Sequence, residues 1–240
     1  MRLSRIAILG VGAIGSLLAE LLVRGGAEDL LLVDGEDLEI GNLVRHRLRM
    51  DALGKKKASG LAEDLDLTSP HARVKAHDEP LPSDPEEARR LLEDYPIIID
   101  CTGDDAVLQI LSQAHWPLPK RFFSISVGYA AKRLYFFSAG GAQFPFDAFL
   151  TQVEPFLEGE RRAMAGQSLP REGAGCWHPC WPARLDDVML MAASASKLIE
   201  NEVAAPSPPP SLLVFEKRAG VDGTFEGIRR VSTVPEQGGA

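Results

Sequence analysis

The sequence predicts an α/β fold: a Rossmann-like doubly wound sheet, mostly parallel, with antiparallel strands at its C-terminal end. Three observations carry this. Strand-like and helix-like segments alternate from residue 5 onward, a glycine-rich turn joins the first such strand to the first helix, and two short apolar runs near the C-terminus are joined by a turn sequence. Arg5 to Leu9 reads as a buried strand, Ala13 to Arg24 as an amphipathic helix and Leu30 to Val33 as a second buried strand, which makes a βαβ unit and hence a parallel sheet. Lys55 to Leu67 places Ala58, Leu61, Ala62 and Leu65 at helical spacing. Pro85 to Leu92 gives a further helix, and Ile97 to Cys101 is an apolar strand that ends on a polar Asp-Cys-Thr-Gly turn. Asp105 to Ala114 continues as helix and Phe122 to Val127 as strand. Ala131 to Phe137 alternates enough to be a strand with one exposed side. Residues 140–182 hold Gly-Gly, several prolines and two cysteines, and are expected to form a long irregular excursion. Asp186 to Glu200 returns as an Ala- and Met-rich helix. A proline-rich spacer over 204–211 follows, and Leu212 to Glu216 and Gly227 to Val231 pair as a hairpin too small to stand alone. Residues 1–240 are therefore expected to form a single domain.

Composition narrows the functional classes. At 240 residues, 45% hydrophobic and 25% charged, the chain has a globular composition. A net charge of −8 argues against a general nucleic-acid binder, because a phosphate backbone needs a basic face. No apolar run approaches the roughly 20 residues that cross a bilayer. The N-terminus passes straight into a strand with no secretory h-region, so a cytoplasmic location is expected. Cys101, Cys176 and Cys180 cannot all pair with one another, which fits a reducing compartment.

Gly10-Val-Gly12-Ala-Ile-Gly15 follows a strand and opens a helix, the context in which glycines permit a tight turn and let a phosphate approach the helix N-terminus. Asp34 ends the second strand, about 20 residues beyond the last glycine, where a carboxylate accepts from ribose hydroxyls. To this point NAD and ATP fit equally. The next stretch, Asp34-Gly-Glu36 through Asn42, Arg45 and Lys57, adds Arg45, Arg47, Arg49 and three lysines. A dehydrogenase has no use for such cations, whereas a triphosphate needs them.

The pattern Asp-x-Asp/Glu, then Asn-Leu-x-Arg, then Gly-x-x-Lys-Ala resembles the ThiF/MoeB superfamily, which includes the adenylating domains of ubiquitin-activating enzymes. The resemblance runs from Arg5 to about Thr102 and resumes in the Asp186 to Glu200 helix and the terminal hairpin. It implies ATP- and magnesium-dependent adenylation of the Gly-Gly carboxylate of a ubiquitin-like or sulfur-carrier protein. Gly10, Gly12 and Gly15 would cradle the phosphates, Asp34 would hold the ribose with Glu36 beside it, and Asn42, Arg45 and Lys57 would grip the phosphates. The chain departs from the family in four places. Where the family has Asp-Asn for magnesium, Gly103-Asp104 stands here, so the metal would fall to Asp104 or Asp105 from a shifted register. The family's arginine in the next helix falls on Leu108, its N-terminal arginine-bearing helix is missing, and its four zinc cysteines are missing, so no structural zinc is expected. A homodimer, or pairing with a second adenylating-type subunit, is implied, as is a conjugating-enzyme-like partner.

Gly175-Cys176-Trp-His178-Pro-Cys180-Trp-Pro182 supports three readings: a metal site, a structural loop anchored by tryptophans, and a thioester-forming nucleophile. In the ubiquitin-activating enzymes a proline stands six residues after the nucleophile, a spacing that Cys176 and Pro182 keep. Cys176 is therefore the expected nucleophile and Cys180 the fallback, while Cys101, at the end of a buried strand, reads as core. Two other functional classes stay open: a degenerate adenylating domain acting as a scaffold, suggested by Gly103 and Leu108, and an NAD-dependent oxidoreductase.

Overall fold

The computed structural model describes residues 3–163, 183–205 and 209–231. One eight-stranded sheet organises them. Its strands are β1 (Ile6–Leu9), β2 (Asp29–Val33), β3 (Arg73–His77), β4 (Ile97–Asp100), β5 (Lys120–Val127), β6 (Arg133–Gly141), β7 (Ser211–Ala219) and β8 (Phe225–Val231). The spatial order is β3-β2-β1-β4-β5-β6-β7-β8. Pairing is parallel from β3 to β5 and antiparallel from β5 to β8. The helices are α1 (Ala13–Arg24), α2 (Lys57–Asp66), α3 (Pro85–Leu91), α4 (Asp105–Gln113), α5 (Phe146–Ala163) and α6 (Leu185–Ala204).

Strand alternation sorts the core into two faces. Ile6 and Ile8, Leu30 and Leu32, and Ile97 and Ile99 face the layer formed by α1, α2 and α6. Ala7 and Leu9, Leu31 and Val33, and Ile98 face the opposite layer, with Ala88 of α3 and Leu108 and Leu111 of α4. A sheet covered on both faces requires near-continuous apolar strands, as β1 and β4 are.

Two expectations are corrected, and one strand had none. Residues 140–182 are not irregular throughout, because α5 occupies 18 of them, while 164–182 lie outside the described residues. The helix escapes a composition-based reading because Val153 is its one residue classed as buried and Pro155 lies within it. β6 has no exposed side: Leu134 and Phe136 pack into the α6 layer, while Tyr135 and Phe137 pack against α5. β3 has no counterpart in the sequence reading: Arg-Val-Lys-Ala-His is a short, half-exposed edge strand whose apolar face is only Val74 and Ala76, held by its ladder to β2.

Candidate nucleotide site at the carboxyl edge of the sheet

The parallel strands all end on one side, where the Gly10–Gly15 turn, Asp34, Glu36 and Lys57 lie together. Gly10 takes a left-handed turn at φ +77° immediately after β1, and a Cβ on it would stand 2.9 Å from Thr102 Cγ2. Gly15 allows the first turn of α1 to close onto that bend, because a Cβ there would lie 2.0 Å from the Gly10 carbonyl oxygen. Gly12 is the N-cap of α1. It offers no capping side chain, the first turn carries no acidic residue, and no described atom would lie within 4 Å of a Cβ placed on it. The helix thus presents backbone N–H groups and the positive end of its dipole toward an open side of the turn.

Asp34 closes this turn from the next strand. Its Oδ2 accepts the Val11 N–H at 2.8 Å and its Oδ1 accepts the Glu36 N–H at 2.9 Å. Burial pushes the Asp34 carboxyl above its ordinary value, against the pull of those two N–H groups. Each oxygen retains acceptor capacity for a ribose hydroxyl.

The cations come from the connection between β2 and α2. Glu39 and Asn42 cap one another across a single 3-10 turn, with Asn42 Oδ1 accepting the Glu39 N–H at 2.9 Å. The Asn42 carbonyl then accepts the N–H groups of Arg45 and His46, each at 3.0 Å. Asn42 and Arg45 are both buried, at 6% and 3% exposure. Lys57 opens α2, is buried, and forms an ion pair with Glu36, whose side chain reaches solvent. A buried ammonium whose ion-pair partner reaches solvent can take a phosphate in place of that carboxylate, so that the charge stays paired.

His46 carries no role in the sequence reading, yet it stitches the connection to the glycine turn. Its Nδ1 accepts the Leu48 N–H at 3.0 Å, so the ring proton sits on Nε2, which donates to the Val11 carbonyl at 2.7 Å. Burial, assisted by the nearby Lys57 charge, lowers its pKa to about 4, and the ring is neutral at physiological pH. Only its place beside Arg45 in the quoted motif signals it.

β4 contributes the remaining wall. Asp100 is buried, accepting from the Thr102 N–H at 3.1 Å, the Thr102 hydroxyl at 2.6 Å and the Ser124 hydroxyl at 3.0 Å. Desolvation raises its pKa to about 6 despite these donors. Asp104 caps α4 through Oδ1, which accepts the Ala106 N–H at 2.9 Å, and lies exposed two residues beyond Thr102. Among the described residues no three His, Cys, Asp or Glu side chains form a metal cluster. Magnesium bound to a nucleotide needs only one or two carboxylates beside the phosphates and water, and the exposed Asp104 is compatible with that. Cys101 is buried with its thiol pKa raised well above the ordinary value, which removes it as a nucleophile. Leu108 is buried in the core beneath α4, so that position offers no cation. Cys176, His178 and Cys180 lie outside the described residues.

The fold is thus a mainly parallel, doubly wound α/β sheet with a glycine turn after β1, closed by Asp34 at the end of β2. The ThiF family profile matches residues 1–144, more than half of the chain, and the chain belongs to the ThiF family. It is 38% identical over 210 residues to the "ATP-dependent ubiquitin transferase-like protein Cap2" of Enterobacter hormaechei subsp. hoffmannii, covering 86% of this chain and 34% of that protein. It is 35% identical over 127 residues to the "Adenylyltransferase and sulfurtransferase uba4" of Aspergillus niger, covering 52% of this chain and 26% of that one. The chain thus spans about a third or less of these relatives' lengths. Among solved structures, the fold is shared with PaaA at a TM-score of 0.63 and 18% identity, covering 95% of this chain and 72% of that one. It is shared also with Escherichia coli MccB in complex with AMPCPP and MccA, at 0.63 and 15%, covering 97% and 64%. In the described residues no helix is long and apolar enough to cross a membrane.

Proposed function

We propose that this chain uses ATP to adenylate the C-terminal carboxylate of a ubiquitin-like or sulfur-carrier protein ending in Gly-Gly. The observation that supports this most is the convergence of the open α1 N-terminus, Asp34 and the buried Arg45 and Lys57 at one edge of a ThiF-family sheet. A carboxylate oxygen of the partner attacks the α-phosphorus of ATP, the bond to the bridging oxygen breaks, and pyrophosphate leaves carrying the negative charge. Gly10, Gly12 and Gly15 keep the helix N-terminus bare, so that its N–H groups face the phosphates. Asp34 holds the ribose, Glu36 orients Lys57, and Arg45, Lys57 and Asn42 stabilise charge as it develops on the departing phosphates. Magnesium held through Asp104 would neutralise phosphate charge.

The second step is transfer of the acyl group from the adenylate to a thiolate, with release of AMP. Cys176 is the proposed acceptor and Cys180 its fallback, before delivery to a conjugating-enzyme-like protein. The proposed assembly is a homodimer, or a pair with a second adenylating-type subunit. The proposed setting is cytoplasmic. Burial of Leu108 at the family's arginine position favours a second reading, a degenerate domain that binds the partner without activating it.

ATP–pyrophosphate exchange with a co-purified Gly-Gly protein tests the proposal. Exchange should depend on the partner's free carboxylate and fall by about 2 to 4 kcal/mol in the transition state in Arg45→Ala. ATP binding without exchange would establish the scaffold reading, and hydride transfer to NAD would establish the oxidoreductase. Cys176→Ala should keep exchange but lose a reductant-sensitive adduct on a non-reducing gel. If only Cys180→Ala loses that adduct, the nucleophile is Cys180.

A further inference from the structure

We infer that His46 is the positioning residue that aims the Gly12 N–H at the phosphates of the nucleotide, an inference that rests on the nucleotide reading above. Val11 is held on both of its peptide groups: its N–H donates to Asp34 Oδ2 at 2.8 Å, and its carbonyl accepts from His46 Nε2 at 2.7 Å. The Val11–Gly12 peptide is trans. Across a trans peptide the carbonyl and the following N–H point in opposite directions. Fixing the Val11 carbonyl on His46 therefore turns the Gly12 N–H away from the imidazole. Within the glycine turn, Gly12 is also the one whose side-chain position is open, with no described atom within 4 Å of where a Cβ would stand.

The imidazole suits this task because it is locked on both nitrogens. Leu48 N–H occupies Nδ1, so the ring cannot switch tautomer without losing a buried hydrogen bond, and Nε2 stays a donor. The ring is buried, and the two hydrogen bonds span from the glycine turn to the segment that carries Arg45. His46 touches no nucleotide in this scheme. It acts through the Val11–Gly12 peptide, and its loss would let that peptide rotate and would blunt one phosphate donor while leaving the nucleoside end of the site, at Asp34, intact.

The discriminating experiment compares a ligand that has phosphates with one that does not. Binding of Mg·ATP is measured by titration calorimetry and of adenosine by ligand-observed NMR, for the wild type, His46→Asn and His46→Gln. Asparagine places its amide near the Nδ1 position and cannot reach Val11, whereas glutamine places an N–H donor near Nε2. His46→Asn should weaken Mg·ATP about tenfold, the worth of one well-placed hydrogen bond, and leave adenosine within about twofold. His46→Gln should recover ATP affinity to within about threefold of wild type. If His46→Asn fails to fold, as judged by circular dichroism, His46→Met fills the site without a donor and carries the same comparison. Unchanged ATP affinity, or equal losses for ATP and adenosine, would overturn the inference and leave the nucleotide reading standing. Wild-type protein that binds Mg·ATP no more tightly than adenosine would overturn both.

Discussion

Each edge of the parallel sheet buries a lysine, and the two are held by different means. Lys120, the first residue of β5 at the amino edge, donates to the carbonyls of Leu92 at 3.1 Å, Glu93 at 2.5 Å and Tyr95 at 3.0 Å, with the Trp116 ring 5.7 Å from its nitrogen. Its three donors have three fixed backbone acceptors, so no capacity remains for a ligand. Lys57, at the carboxyl edge, is as deeply buried, but among the described residues its ion pair is with the side chain of Glu36, which is 58% exposed, and its charge also acts on Asp34. The first arrangement joins the end of α3 to the start of β5. The second leaves a desolvated positive charge with a partner that can move away, which is what a triphosphate requires. Burial of charge does not by itself distinguish a structural lysine from a binding one. The proposed distinction is whether the partner is a fixed backbone group or a solvent-facing side chain.

Exchanging the two lysines' fates is the strongest way to break this contrast. Lys57→Ala should cost adenylation about 2 to 4 kcal/mol, a drop of roughly 30- to 1,000-fold, read as pyrophosphate exchange under saturating partner. Truncating this buried stem should also lower the unfolding free energy, by about 1 to 3 kcal/mol, so Lys57→Met, which keeps the stem without the charge, should lose exchange with a smaller effect on stability. Full exchange activity would show that the carboxyl-edge lysine is as structural as its counterpart.

Lys120→Met should do the reverse. The apolar stem is preserved, but three backbone carbonyls lose their donor, at about 1 kcal/mol each. Chemical denaturation should therefore show about 3 kcal/mol less stability, with Mg·ATP affinity of the folded protein unchanged. A variant as stable as the wild type would mean that water reaches those carbonyls and that the amino edge is not built as described.

What could be read in advance follows the same division between local and long-range causes. α1 was legible to the residue, Ala13–Arg24, because a glycine turn, a helical period and a terminal Arg24-Gly25 are all local signals. Asp34 was legible because a fixed spacing from the glycines reflects one βαβ unit. The environments of Lys57 and Lys120 were not, since their exposed and fixed partners are set by which loops the sheet brings together. His46 illustrates the limit: its two hydrogen bonds span 35 residues in one direction and two in the other, and only the first makes it part of the site. The burial of β6 on both faces likewise depends on α5 and α6, which approach it from far along the chain.

Asp100 sharpens the comparison, because it shares the carboxyl edge with Lys57 but is satisfied by fixed donors, as Lys120 is satisfied by fixed acceptors. If partner mobility decides the role, Asp100 should act on stability and only weakly on nucleotide binding. Its folded pKa stands at about 6, against an ordinary 3.8, with desolvation outweighing the Thr102 and Ser124 hydrogen bonds. Between about pH 4 and pH 6 the folded protein therefore retains a proton that the unfolded chain has lost. This carboxyl's contribution to stability is fully present below pH 4 and is lost as pH rises through 6. At about 1.4 kcal/mol per unit, its loss is on the order of 3 kcal/mol. Asp100→Asn keeps an oxygen acceptor for Thr102 and cannot ionise. The stability difference between wild type and Asp100→Asn, measured by urea unfolding at pH 4 and pH 7, should shift by that amount in favour of the variant at the higher pH, with ATP affinity changing less than in Lys57→Ala. Parallel pH profiles for the two proteins would place Asp100 in contact with solvent. A loss of ATP affinity as large as that of Lys57→Ala would make position on the edge, and not mobility of the partner, the feature that marks a binding residue in this fold.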